Sequence, residues 1–265
     1  MNNLYRELAP ITPEAWGEIE EEATRTLKEY LGGRRIVDVH EPQGLDLSVV
    51  GTGHKSSIKG LGEGVQSSLR EANPVIELRV PFELTREAID DVERGSADSD
   101  WQPLKDAALK IALAEDTLVF KGYPEGRIKG ILPETSNKKV KLPKNAADYS
   151  HALADALTEL REQGVEGPYA LVLGTETYTR ATGGSEEGYP VLRHLERLVD
   201  VPVIWSPGIE GGAVVTLRGG DFDLWLGQDI SIGYLSHTAD AVTLYFQETL
   251  TFQMQTSEAV VVLES

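Results

Sequence analysis

The sequence predicts a subunit of the α+β class, and three observations support this prediction. Residues 76–84 alternate apolar with polar side chains, which is the pattern of a strand with one buried and one solvated face. Residues 104–118 carry apolar side chains at helical spacing, and this pattern runs to Gly122. Between positions 123 and 223 the pattern changes to short alternating helices and strands, which indicates an inserted α/β lobe.

The composition disfavours several classes of protein. The chain has 265 residues and a formal net charge of −18, which opposes binding to nucleic acid phosphates and to anionic lipid. It contains no cysteine, which excludes disulfides, thiolate nucleophiles and sulfur-ligated zinc. No apolar run reaches the roughly 18 residues that span a bilayer, and the first ten residues lack an apolar signal core. We therefore predict a cytoplasmic protein whose partners are neither nucleic acid nor membrane.

The first predicted element is a helix that begins at Pro13. Thr12 is a suitable N-cap, proline suits the first helical position, and the pair Gly32-Gly33 ends the helix. The apolar face of this helix consists of Trp16, Ile19, Ala23, Leu27 and Tyr30. Residues 36–39 and 45–50 then alternate on either side of a proline and a glycine, which predicts a β-hairpin.

The segment that follows is irregular. Positions 51–64 contain five glycines and no sustained periodicity. So long a structureless excursion inside a compact domain is usually functional, disordered, or an arm that gains partners from another subunit. We favour the arm. The stretch from Gly51 to Ser56 resembles a phosphate-binding loop, but His54 separates glycine from lysine and no helix pattern follows, so we interpret it as flexible loop.

The remaining elements follow from caps and periodicity. Thr85 caps a short helix that ends at Arg94-Gly95, and a longer helix precedes Gly122. The inserted lobe is predicted to contain helices over 148–163 and 191–198, a strand over 169–173, and strands near Val201 and Val214. The tail returns to strands over 224–226, 242–254 and 260–263.

Patterns that carry catalysis or bind metal are missing from the sequence. The five histidines never stand four apart on a helix, and the Gly-x-Ser-x-Gly elbow of α/β hydrolases is absent. The acidic clusters at 20–22 and 90–93 are interpreted as solvated helix faces, because adjacent helical residues point in different directions. The basic run at 138–144 is interpreted as a charged turn. We therefore predict that the chain is not an enzyme and holds no metal.

Several short motifs instead occur in a definite order along the chain. They are Arg6 to Pro10, Gly33 to Val39, Glu77 to Arg79, Glu93 to Gly95, Phe120-x-Gly122, Glu166 to Tyr169, Gly219 to Tyr234 and Glu248 to Phe252. Together they resemble the shell proteins of the encapsulin family, whose actinobacterial members were once called linocin-type bacteriocins. The resemblance covers nearly the whole chain, and several motifs in the right order are more specific than any one of them. Encapsulins build hollow icosahedral compartments in bacteria and archaea.

This resemblance implies the fold of tailed-phage major capsid proteins. A peripheral domain would comprise residues 1–50, 75–122 and 224–265, an extended arm residues 51–74, and an axial domain residues 123–223. The implied function is a self-assembling icosahedral shell that encloses a cargo enzyme. The cargo would be a dye-decolourising peroxidase or a ferritin-like protein, held through its C-terminal targeting peptide.

The resemblance also implies two sites. The cargo peptide would bind between the opening helix and the peripheral domain, at positions that match Leu27, Arg34, Ile36, Asp38, Asp229, Ile230 and Ile232. Small solutes would pass a fivefold pore ringed by the loop Thr182, Gly183, Gly184, Ser185, Glu186, Glu187 and Gly188. Some members carry a flavin stacked on a tryptophan near the short helix after Leu84. Because Arg86 to Ala88 offers no such ring, we predict no flavin and no other cofactor.

Two alternatives remain at this point. The chain would be a peptidase or bacteriocin-like enzyme if purified, cargo-free protein cleaved peptides at a rate that one substitution abolished. It would be a phage major capsid protein if its particles held packaged DNA. The shell-protein interpretation instead predicts particles without nucleic acid.

Overall fold

The computed structural model describes residues 3–186 and 188–265. In these residues the helices are α1 (Pro13–Tyr30), α2 (Arg86–Glu93), α3 (Gln102–Lys121), α4 (Ile131–Glu134), α5 (Tyr149–Glu162), α6 (Thr175–Gly183) and α7 (Val191–Leu195). The strands are β1 (Asp38–Val39), β2 (Val49–Ile58), β3 (Ser67–Pro74), β4 (Ile76–Thr85), β5 (Gly122–Tyr123), β6 (Ile128–Lys129), β7 (Val140–Lys141), β8 (Tyr169–Leu173), β9 (Ser185–Glu186), β10 (Tyr189–Pro190), β11 (Ile204–Trp205), β12 (Gly212–Thr216), β13 (Phe222–His237), β14 (Ala241–Met254) and β15 (Val260–Glu264).

Two sheets form the centres of two lobes. The first has strand order β1-β13-β14-β4, and the second has order β11-β8-β12-β15-β7. The last strand of the chain, β15, pairs antiparallel with β12 and parallel with β7. The predicted domain division grouped residues 260–264 with β13 and β14, so at this strand the structure departs from it. A short link after β14 is enough to place β15 between β12 and β7 in the second sheet.

The first helix is confirmed, whereas the predicted hairpin after it is wrong. The backbone N–H of Ala15 donates to the Thr12 hydroxyl at 3.2 Å, as expected of an N-cap. Residues 36–39 and 45–50 do not pair with each other, because β1 pairs in parallel with β13. Beyond β1 the chain stays on this edge, where the N–H of His40 donates to the carbonyl of Leu224 at 2.9 Å. Unused backbone groups along β13 therefore outcompete a local turn.

The arm is a β-hairpin and not an irregular loop. Strands β2 and β3 pair antiparallel, with a register shift between Gly51 and Lys55. Backbone ladder bonds do not require an apolar period, so the sequence pattern gave no sign of these strands. Gly53 and Gly64 adopt positive φ angles of 79° and 76°, which side-chain-bearing residues rarely do. Most side chains of the hairpin are exposed.

Helix α3 is the spine that joins the two lobes, and it is confirmed with its end at Gly122, where φ is +79°. Its first half buries Leu104 and Ile111 in a core shared with α1 and with the sheet strands β4 and β14. Its second half buries Leu118 and Phe120 in a core that also receives side chains from β8, β12 and β13. One helix therefore fixes the position of both sheets.

The second lobe contains several elements that the sequence did not predict, among them α6 and the short strands β7, β9 and β10. Helix α6 covers part of the segment assigned to the pore loop, and it buries Thr177 and Ala181. Its sequence is rich in threonine, which has low helix propensity, so tertiary packing decides this helix. The strand β8 is confirmed and every one of its residues is buried. Helix α5 is also confirmed, to within a residue at each end.

Candidate functional site

The guanidinium of Arg34 lies at a meeting point of three carboxyl groups. Its Nε and Nη2 donate to the two oxygens of Glu115 at 2.9 and 2.7 Å. Its Nη2 also lies 2.8 Å from Glu248 on β14 and 2.8 Å from Asp229 on β13. The side chains of both glutamates are 0% exposed, Arg34 is 19% exposed and Asp229 is 47% exposed. We call these four residues the Arg34 cluster; it is buried on one side and open at Asp229.

Sequence reasoning named Arg34 and Asp229 but missed the two glutamates. Glu115 stands four residues after Ile111 and three before Leu118, so it occupies the buried face of α3. Glu248 alternates with Phe246 and Leu250, so it occupies the core face of β14. Buried carboxylates are costly unless they are paired. The sequence therefore did contain a signal for these two residues: each is a charged residue at a position where the helix or strand period predicts an apolar one.

The pKa shifts in the Arg34 cluster have different causes at Glu248 and at Arg34. Full burial raises the pKa of Glu248 well above its ordinary value, and the charge of Glu115 raises it further, whereas Arg34 opposes the shift. Burial alone lowers the pKa of Arg34, but the hydrogen bonds and charges of Glu115, Asp229 and Glu248 together raise it above its ordinary value. The guanidinium is therefore permanently charged, and Glu248 is the group that resists ionisation.

Asp116, the residue after Glu115, fixes the backbone beside Arg34. Its carboxylate accepts hydrogen bonds from the N–H of Gly32 at 3.2 Å, the N–H of Gly33 at 2.8 Å and the hydroxyl of Ser206 at 2.7 Å. Burial raises its pKa to about 6, although the hydrogen bonds from Ser206 and Gly33 lower it. Because Ser206 directly follows β11, this one carboxylate ties α3 to the second lobe and to the turn that carries Arg34.

The two glycines before Arg34 are required by close packing. A Cβ on Gly32 would lie 2.7 Å from the Cβ of Ser206, and a Cβ on Gly33 would lie 3.0 Å from a carboxylate oxygen of Asp116. The φ angle of Gly32 is −70°, so its backbone conformation is open to other residues. From the sequence alone, these glycines indicate only the end of a helix. The structure adds that they let the turn approach the Asp116 carboxylate.

The other predicted cargo-site residues lie in different environments. Leu27 and Ile230 are half-buried and pack against the same hydrophobic core, which also contains Ile232. Ile36 is buried in the adjoining core. Asp38 is exposed and accepts a hydrogen bond from the N–H of Gly220. The structure thus brings Arg34 and Asp229 into direct contact and leaves Leu27 and Ile230 partly accessible, while Ile36 and Ile232 are enclosed by the subunit itself.

The predicted pore loop forms a helix end and a tight turn. Thr182 and Gly183 end α6, and the Thr182 hydroxyl donates to the carbonyl of Tyr178 at 2.9 Å. Ser185 and Glu186 form β9, which pairs with β10. Gly188 has a φ of 83°, and Glu187 lies outside the described residues. The described part of the loop is mostly exposed, so it is available to contact another molecule.

Exposed apolar side chains are concentrated on the arm. About half or more of the residue surface is exposed at five arm positions, Val49, Ile58, Leu61, Val65 and Leu69, and at four positions elsewhere, Tyr5, Leu8, Leu45 and Leu235. Leu61, between the two strands, is 96% exposed. The root is held to the body, since the side-chain amide of Asn73 donates to the carbonyl of Phe252 at 3.1 Å. Apolar surface at the end of an anchored hairpin is typical of a protein-protein contact.

Within the described ranges, none of the helices is both long and apolar enough to cross a membrane. In the same part of the chain, no three histidine, aspartate or glutamate side chains are grouped so that they could hold a metal ion.

Comparisons with known proteins agree along the whole chain. The family model described as "Encapsulating protein for peroxidase" matches residues 1–251. A protein of Rhodococcus erythropolis named type 1 encapsulin shell protein is 54% identical, over 99% of this chain and 100% of the relative. A protein of Mycobacterium tuberculosis with the same name is 51% identical, over 99% of each chain.

Solved structures agree on the fold. A virus-like particle from Pyrococcus furiosus has a TM-score of 0.66 and 19% identity, and the match covers 95% of this chain and 100% of that one. The capsid of Myoviridae phage XM1 has a TM-score of 0.52 and 12% identity, with 88% and 90% covered. At these identities the likeness concerns the fold alone. The predicted α+β, tailed-phage capsid-like fold is confirmed.

Proposed function

The chain belongs to the type 1 encapsulin shell-protein family, and we propose that its copies assemble into a closed icosahedral shell in the cytoplasm that encloses a cargo enzyme. The observation that carries this proposal is the family match over nearly the full length, joined to a capsid-like fold. The relatives are named as shell proteins, which fits a structural and not a catalytic role for this chain.

The arm supports the assembly part of the proposal. A closed shell needs heterologous contacts, in which one surface of a subunit meets a different surface of its neighbour. An exposed hairpin with free strand edges and apolar side chains is suited to pair with a neighbour by strand addition. Each stable contact is expected to bury about 1,600 Å² in total. Because β2 and β3 already pair with each other, the arm reaches its neighbour as a preformed unit.

For the cargo, we propose a dye-decolourising peroxidase first and a ferritin-like protein second. The description of the matching family model names a peroxidase. A C-terminal targeting peptide would dock beside α1, where Leu27 and Ile230 offer apolar surface and Asp229 offers an exposed carboxylate. Such a site suits aliphatic anchors together with a basic side chain. Ile36 and Ile232 are buried and would hold this region in place without contacting the peptide, whereas the exposed Asp38 could contact it.

The loop at residues 182–188 is proposed to ring a pore. Its glycines reduce bulk, and Glu186 would favour cations while small neutral solutes pass. Substrates of the enclosed enzyme would then enter without the shell opening.

The proposal is tested by co-expression with a peroxidase that carries or lacks its C-terminal peptide. Electron microscopy should reveal closed particles in both cases, and peroxidase should co-purify only when the peptide is present. Particles should contain no nucleic acid, and particles that lack cargo should not cleave peptides. A monomer or dimer by light scattering would refute the shell, whereas packaged DNA would favour a phage capsid.

A matched pair of variants tests the docking region. Asp229→Asn removes the exposed charge and should lower cargo loading by about tenfold, which corresponds to 1.4 kcal/mol. Asp240→Asn changes an exposed aspartate in the β13–β14 turn and should leave loading unchanged. Equal loading of both variants would refute docking at Asp229.

A further inference from the structure

The geometry of the Arg34 cluster contains more acceptors than donors. Glu115, Glu248 and Asp229 each place a carboxyl oxygen within 2.8 Å of the same nitrogen, Nη2 of Arg34. A guanidinium NH₂ group carries two hydrogens. Three carboxyl oxygens around two hydrogens leave one of these oxygens without a hydrogen bond from Nη2, and they bring like charges together. A proton on one carboxyl removes both conflicts.

Burial identifies which carboxyl carries the proton. Asp229 is half-exposed, so water solvates its charge, whereas both glutamates are fully buried. Glu115 receives two hydrogen bonds from Nε and Nη2, the paired arrangement that stabilises a carboxylate most. Glu248 receives one, and its Oε2 is buried without a hydrogen-bond partner. Glu248 is therefore the poorest of the three sites for a negative charge.

Neighbouring elements supply no second cation to the pair among the residues described. Helix α3 contributes the acidic side chains Glu115 and Asp116, and β13 contributes Asp229. On β4 the residue paired with Glu248 is Leu78, which is apolar. Arg79, the next residue on β4, pairs with Gln247, whose side chain lies on the other face of the sheet. Arg34 is thus the one cation that these contacts give the cluster, and ionisation of all three acids would leave a net charge of −2.

We propose that Glu248 is a neutral carboxylic acid that shares its proton with Glu115, and that this buried acid pair positions Arg34 and Asp229. The pair is a positioning device: it would not touch the cargo peptide, but it would hold the side chains that do. The part that concerns cargo rests on the proposed function above.

The direction of the pH effect follows from burial, which raises the pKa of Glu248, with a further rise from Glu115. The protonated pair is intact below the raised folded-state pKa of Glu248. As the pH rises through the folded-state value, Glu248 loses its proton to solvent and a second negative charge appears beside Glu115. The expected results above this pKa are a loosened Arg34 and weaker docking.

Infrared spectroscopy of assembled particles tests the proton directly. Above neutral pH, where Asp116 with its pKa of about 6 is ionised, wild-type protein should retain a carbonyl-stretch band of a protonated carboxylic acid. The Glu248→Gln variant should lack this band, and the control Glu77→Gln, which alters a half-exposed glutamate, should keep it. Identical spectra for wild type and Glu248→Gln would overturn the proposal.

Stability of two variants gives a second test. Glutamine is isosteric with a neutral glutamic acid and does not titrate, so Glu248→Gln should not lower the folded-to-unfolded ratio at neutral pH. It should also remove the fall in wild-type stability that is expected as the pH rises from 4.5, the ordinary value for glutamate, to the raised folded-state pKa of Glu248. Glu115→Gln deprives Arg34 of its paired carboxylate and should lower the folded-to-unfolded ratio by at least ~100-fold. Equal losses for the two variants would refute the assignment of the proton to Glu248. If Glu115→Gln fails to fold, the infrared comparison still decides the matter.

A pH profile of peptide binding separates this inference from the proposed function. The probe is a fluorescent peptide with the C-terminal sequence of a dye-decolourising peroxidase, bound to assembled particles. Its affinity should fall as the pH becomes alkaline for wild type and stay level for Glu248→Gln. A level wild-type profile would refute the positioning role. Binding at no pH, together with an intact infrared band, would refute the docking site and leave the shared proton standing.

Discussion

The arm hairpin and the Arg34 cluster use opposite means to become ordered. In the arm, the backbone of β2 and β3 is paired while most side chains are exposed. In the cluster, single residues from a turn, α3, β13 and β14 meet through side chains that are buried except at Asp229. The contrast teaches that the subunit depends on the cluster for its own folding, whereas the side chains of the arm contribute stability only when another molecule buries them.

The same contrast appears in the polar groups of each region. Asp116, which lies beside the Arg34 cluster, is buried and accepts hydrogen bonds from three donors, so its loss leaves several groups unsatisfied. Polar groups of the arm face solvent, where water replaces any partner that is lost. Substitutions in the two regions should therefore separate cleanly into effects on folding and effects on assembly.

The largest expected effect is at Asp116. Asp116→Ala removes the acceptor shared by Gly32, Gly33 and Ser206 and should lower the free energy of unfolding by about 3–5 kcal/mol. Chemical denaturation followed by tryptophan fluorescence measures this loss. The control is Asp106→Ala on the same helix, an exposed aspartate whose loss should cost about 0.5 kcal/mol or less. Similar losses in the free energy of unfolding at the two positions would contradict the role of Asp116 as a shared buried acceptor.

The pH dependence of stability sharpens the role of Asp116. Its pKa is raised from 3.8 to about 6, so between these values the folded state holds a proton that the unfolded state has released. The stabilisation of wild type over Asp116→Asn should fall by roughly 3 kcal/mol as the pH rises through this window. The measurement is denaturant unfolding of both proteins across the pH range. A difference independent of pH would contradict the assigned shift.

A smaller effect is expected at the start of α1. Thr12 caps this helix, and its hydroxyl donates to Glu93 at the end of α2. Thr12→Ala should lower the free energy of unfolding by about 1 kcal/mol. Thr24→Ala, on the exposed side of the same helix, should change it by about 0.5 kcal/mol or less. Equal thermal midpoints for the two variants would show that the cap does not matter.

The smallest effect on folding, and the clearest on assembly, is expected in the arm. Leu61→Asp should leave the free energy of unfolding within about 0.5 kcal/mol, because its side chain is almost fully exposed. Size-exclusion chromatography with light scattering should nevertheless detect fewer assembled particles. Ser57→Asp places the same charge at a polar, exposed position of β2 and should assemble normally. A large loss of subunit stability with Leu61→Asp would erase the contrast between arm and cluster.

Local signals explain the elements that were predicted correctly. Caps at Thr12 and Thr85, the stop at Gly122 and the alternation of β4 act between residues a few positions apart. The elements that were missed depend on partners far along the chain. Strand β1 pairs with residues more than 180 positions away, since Asp38 is opposite Asp223. The pairing of β2 with β3 leaves no apolar period to detect, because neither face of the hairpin is buried.

The sequence by itself determined the class of fold, the spine helix and the family, because each follows from local periodicity or from an ordered series of motifs. Only the tertiary structure decided how Arg34 is used. Its partners Glu115 and Glu248 stand 81 and 214 positions away. A charged residue at a core position indicates that a partner is needed. Which residue fills that need, and which of the buried acids retains its proton, depends on distances that arise only when helix, strand and turn pack together.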